Sequence, residues 1–167
     1  MALKPQDVLV LLRLLSEDGD RTYPHLAHAL GMSASEVHAS VQRAASSGLV
    51  RLDDREPNRQ ALLEFLIHGV KYAFPAERGG LTRGMRTARA AAPLAKKLAA
   101  GSEPPPVWPD PEGDVRGEAL EPLYRSVPSA ARADASLYEW LALVDAIRSG
   151  RARERELATK ELQRRLS

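Results

Sequence analysis

Few residues in this chain have the type and spacing to do chemistry. His25 and His28 stand three positions apart, and His38 follows in the next helix-like stretch. A helical spacing of three or four suits zinc, and three imidazoles can hold it. The chain has no cysteine, and no acid pair lies beside these histidines. The plainer expectation is two solvent-facing histidines and no metal. His68 sits among apolar residues and reads as packed or hydrogen-bonded. "ERGGLTRGMRTAR" has the glycines of a phosphate loop but lacks the Gly-Lys-Ser/Thr ending, so no nucleotide site is expected. There is no Ser/His/Asp set in a recognisable context and no distinguished acid pair, so neither an enzyme nor a cofactor is expected. What remains is charge: between Arg78 and Lys97 there are six bases and no acid, a cluster that attracts polyanions.

The elements that would position these residues are mostly helices. "PQDVLVLLRLLSEDG" has Pro5 for a first turn and an acidic end before Gly19. Its apolar residues cover more than one face, which predicts burial between two partners, a second subunit among the options. "TYPHLAHALG" predicts a short helix capped by Thr22 and stopped by Gly31. In "MSASEVHASVQRAASSG", Ser33 and Glu36 make a capping box, Val37, Val41 and Ala44 face inward, and Gly48 is the left-handed stop. "LVRLDD" predicts a strand and "DREPN" a turn. Residues 60–74 return to helical spacing. "GSEPPPVWPDPEGD" holds five of the twelve prolines and reads as a linker or extended arm, its Trp108 packed against a domain. "SLYEWLALVDAIRSGRARERELATKELQRRL" predicts helix, bent or broken at Gly150. Its Leu137–Ile147 stripe is a candidate dimer face.

The order helix, short helix, tight turn, capped helix, strand is carried by "LAHALGMSASEVHASVQRAASSGLVR". It resembles the winged helix-turn-helix of MarR-like bacterial regulators over roughly residues 5–60. More distantly, the layout resembles winged-helix antitoxins, which pair a DNA-binding N-terminus with a region that neutralises a partner protein. The resemblance implies a recognition helix in the major groove of double-stranded DNA. Its outer face must then be small or polar, and it is. Ser33 and Ser35 are placed to meet a phosphate, His38 and Gln42 to face base edges, and Arg43 to reach guanine or phosphate. Arg51, Arg55 and Arg59 fall on the expected wing. Arg83 and Arg86, with Arg78 and Arg89, are candidates for the DNA backbone. The same basic segment also reads as an arm that docks on a partner, or as a solvated loop.

The expected fold is mainly α: a winged helix-turn-helix with a small β wing, plus a helical C-terminal region. The expected divisions are residues 1–75 for the helix-turn-helix domain and its following helix, 76–115 for a basic and then Pro-rich arm, and 116–167 for a helical region serving dimerisation or partner binding. The net charge of +2 is uneven, with the surplus in the middle third. No apolar run approaches the ~20 residues of a membrane helix, and a cytoplasmic protein is expected. The expected function is a homodimeric transcriptional repressor. The alternatives are an antitoxin-type regulator and a winged-helix scaffold that binds protein only.

Overall fold

The computed structural model describes residues 1–16 and 19–167. The acidic end expected for the first helix, at Glu17 and Asp18, lies outside the described residues. The chain divides into two units, Met1–Leu62 with Leu123–Tyr138, and Leu63–Pro122 with Glu139–Ser167. The divisions expected at 75 and 115 do not coincide with these, because the chain leaves the first unit and returns to it.

In the first unit, α1 (Pro5–Leu14), α2 (Tyr23–Leu30) and α3 (Ala34–Ser46) pack on one another, and α6 (Val127–Ala133) packs on α2. Lys4 N–H donates to the Asp7 carboxylate at 2.8 Å, closing the start of α1 beside Pro5. Val8 through Leu12 and Leu14 are all buried, so the wide apolar stripe is already covered within a single chain. α2 starts at Thr22, whose hydroxyl accepts from His25 N–H at 3.3 Å, and stops at Gly31 with φ +64°. A Cβ at Gly31 would also lie 3.3 Å from Ser126, just ahead of α6.

The wing is smaller than expected. Instead of a strand over "LVRLDD", a single bridge joins Val50 to Pro57, flanked by Arg51 N–H to Glu56 C=O at 3.0 Å and Asn58 N–H to Leu49 C=O at 2.9 Å. Pro57 has no N–H to extend a ladder. The next residue outward, Leu52, stays exposed with no face to bury.

The second unit holds a finding that the sequence reading did not contain. Residues 76–115, expected as an arm, supply most of a three-stranded closed barrel: β1 (Arg78–Arg86), β2 (Pro106–Pro109) and β3 (Val115–Leu120). β1 runs antiparallel to both others, and β2 and β3 are parallel. The closure is tight: the buried Val107 side chain stands beside both Gly84 and Gly117, and neither glycine has room for a Cβ. A Cβ at Gly84 would stand 2.1 Å from Trp108 C=O, one at Gly117 2.1 Å from Pro105 C=O, and one at Gly113 2.2 Å from Gly84 C=O. Glycine here permits backbones to meet. The prolines of β2 stand at its two ends, where a missing N–H is tolerated.

Trp108 is fully buried, as the packing reading expected, and its indole N–H donates to Asp145 at 2.7 Å. Asp145 on α7 (Ala135–Ser149) also accepts from the Thr87 hydroxyl at 2.7 Å and from Arg148 at 2.8 Å. Burial pushes its carboxyl above the usual range, opposed chiefly by Arg148 and then by the Thr87 and Trp108 hydrogen bonds. The expected break at Gly150 is present: α7 ends at Ser149 and α8 (Ala152–Leu166) follows. The stripe Leu137, Trp140, Leu141, Val144 and Ile147 is buried in the single chain, so it is not an open face.

Candidate nucleic-acid interface

α3 is the element that a groove would receive, and its start is fixed by short-range chemistry. Glu36 N–H donates to the Ser33 hydroxyl at 3.1 Å, and Ser33 N–H donates back to the Glu36 carboxylate at 3.4 Å. A cap of this kind contributes ~1 kcal/mol. Val37, Ser40, Val41 and Ala44 face inward, which leaves Ser33, Ser35 and His38 exposed and Gln42 half-buried. The two serine hydroxyls lie 3.2 Å apart. The His38 ring stands edge-on to Tyr23 at 5.1 Å between centroids, so a side chain of α2 sets its direction.

Arg43 is not available to read DNA. Its Nε and Nη2 donate to the two oxygens of the fully buried Asp7 carboxylate at 2.9 and 2.8 Å, and Nη2 also reaches Ser40 at 3.3 Å. The Asp7 hydrogen bonds hold the guanidinium above its already high pKa. Helical spacing points Arg43 toward α1, and a desolvated carboxylate there outcompetes solvent for it.

The wing arginines divide in the same way. Arg51 is exposed but paired with Asp54 at 2.5 Å, which holds the Asp54 carboxyl down at about 2. Arg55, at φ +56°, lies 3.9 Å from the centre of the Tyr23 ring and donates to Arg21 C=O at 3.0 Å. It therefore braces the ring that orients His38. Arg59 is exposed at the start of α4 (Arg59–Glu64), which a π-helical turn at Phe65–Gly69 joins to α5 (Val70–Ala73). Arg83 and Arg86 are exposed on β1, in the other unit.

One neighbour of α3 lies far away in sequence. The Tyr124 hydroxyl donates to the Glu36 carboxylate, and the Arg125 guanidinium stands 3.8 Å from the same group and 4.5 Å from the centre of the Tyr124 ring. Tyr124 first, then Ser33 and Arg125, hold the Glu36 carboxyl below its usual range. The only acid at the start of α3 is thus engaged, and an exposed cation is added beside it. No spacing signal links positions 36 and 125, so only the fold reveals this pair. The histidines are not gathered for a metal: His38 meets Tyr23, whereas His25 receives Arg13 at 3.3 Å. Among the described residues no group of three His, Asp or Glu is placed to hold an ion.

α1 and α2 packed on a capped, outward-facing α3 define a helix-turn-helix domain. Residues 9–44, from within α1 to the inward Ala44 of α3, match the AsnC-type helix-turn-helix domain. That match supports a DNA-binding regulator of the helix-turn-helix kind. It shares with the MarR-like resemblance the helix-turn-helix itself. No curated protein and no solved structure matches the chain. Among the described residues no helix is long and apolar enough to cross a membrane.

Proposed function

We propose that the chain is a sequence-specific transcriptional regulator, a repressor acting as a homodimer in the cytoplasm, with no catalytic role. The observation that carries this reading is the exposed face of α3. A capped start presents Ser33 and Ser35, His38 and Gln42 follow one and two turns on, and the single acid is held by Tyr124. Serine hydroxyls and free N–H groups at a helix start suit a phosphate, and glutamine suits adenine. Arg59 and Arg125, exposed cations of the same unit, would supply phosphate contacts. A two-fold dimer would set two such helices ~34 Å apart on a pseudo-palindrome.

The test is fluorescence anisotropy with the DNA upstream of the chain's own gene against a scrambled duplex, over a series of salt concentrations. Tighter binding to the native duplex, with a steep salt slope, is expected. Equal binding to both duplexes removes operator recognition at that site. Sedimentation of the free protein reports the dimer.

The antitoxin-type reading has one observation in its favour. The second unit leaves Tyr72 and Leu81 exposed at 77% and 55%, large apolar side chains of the kind that partners cover. It predicts copurification with the product of the adjacent gene.

A further inference from the structure

We propose that Arg83 and Arg116 form a second anion site in this chain, on the outer face of the barrel, and that it takes the phosphodiester backbone of DNA. The proposal rests on the DNA-binding reading and deepens it. Arg83 on β1 is the register partner of Arg116 on β3 in an antiparallel pair. Direct partners project from the same face with Cβ atoms ~5 Å apart. The next rung, Gly84 with Val115, and the previous one, Thr82 with Gly117, face the other way. Gly84 and Gly117 are buried, so the two arginines face outward, and both are exposed.

Two like charges directly opposite each other weaken a strand pair. Among the described residues neither guanidinium has an ion-pair or hydrogen-bond partner. Glu118, two positions along β3, is engaged by Arg78 at 3.6 Å. Asp114, two positions the other way, is exposed and pairs with neither arginine. Two other exposed arginines of the unit show the contrast: Arg151 holds Glu103 at 2.9 Å, and Arg153 meets Glu156 at 3.8 Å. An external anion shared by both guanidinium groups removes the repulsion. The planar fork of each matches phosphate oxygens. A phosphodiester backbone supplies such groups at regular spacing, and a chain that carries a helix-turn-helix meets it. An acidic protein surface offers the same charge and is separated by the test.

The test uses the full chain, a duplex from upstream of its own gene and a scrambled duplex, with anisotropy read across a salt series. Three proteins are compared: wild type, Arg83→Gln with Arg116→Gln, and Arg83→Lys with Arg116→Lys. The glutamine variant is expected to weaken binding to both duplexes by the same factor and to lower the slope of log affinity against log salt by ~0.9, the value for the one shared phosphate lost. The lysine variant is expected to keep the slope. Both side chains are exposed, so the glutamine variant should melt no lower than wild type. A slope unchanged in the glutamine variant, with wild-type binding intact, overturns the site and leaves the α3 reading standing. A loss confined to the native duplex also overturns it, since a phosphate contact cannot choose sequence. A wild-type chain that binds neither duplex overturns both readings.

Discussion

Arg43 and Asp7 form a two-point ion pair, at 2.8 and 2.9 Å, that ties α3 to α1 beneath the face expected to meet DNA. The Asp7 carboxylate is fully buried and the Arg43 side chain is 13% exposed. Removing one partner strands the other's charge, at a cost of ~3–5 kcal/mol. Arg43→Ala is therefore expected to lower the urea midpoint sharply. Asp7→Ala with Arg43→Ala should cost less than the sum of the single changes. A single variant of wild-type stability that loses only DNA binding would return Arg43 to the reading face.

In the proposed reading of α3, Gln42 meets a base edge. Gln42→Ala is expected to reduce the preference for the native over the scrambled duplex by ~1–3 kcal/mol, the worth of a bidentate base contact. The salt slope should stay as in wild type, because no phosphate contact is lost. A changed slope with unchanged preference would assign Gln42 to the backbone instead.

Two glycines of the same strand should respond in opposite ways. At Gly84 an added Cβ would meet backbone at 2.1 Å, whereas at Gly80 nothing lies within 4 Å. Gly84→Ala is expected to open the barrel, seen as a red-shifted emission when the buried Trp108 meets water. Gly80→Ala should leave that emission unchanged. Equal effects at both positions would contradict the closed arrangement of the three strands.

Glu161 on α8 provides a pH signature. Hydrogen bonds from Arg164 and then Arg165, against the opposing effect of burial, hold its carboxyl at about 2, below its ordinary 4.5. An acid with a depressed folded-state pKa binds more protons when unfolded, so its contribution is complete above 4.5 and is lost as pH falls toward about 2. The stability difference between wild type and Glu161→Gln, measured by urea unfolding, should be largest near neutral pH and shrink through that window. A difference that grows on acidification would reverse the assignment.

The sequence by itself determined most helix starts and stops, although α1 ends at Leu14 and not at the Gly19 stop expected for it. Pro5, Thr22, Gly31, Ser33 with Glu36, Gly48 and Gly150 act through neighbours within four residues, so local spacing suffices to place caps and stops. It also determined which side of α3 faces outward, because Val37, Val41 and Ala44 share the inward stripe. Tertiary structure decided the rest. Whether an arginine is a reading group depends on which carboxylate it meets, and Arg43 meets one 36 positions away. Glu36 is held by Tyr124 from 88 positions away. The barrel was hidden because its strands are built from glycine and proline, residues with little strand preference on their own. Gly84 and Gly117 become strand residues where a partner backbone stands too close for a Cβ, a condition set by the partner strands and not by the segment itself.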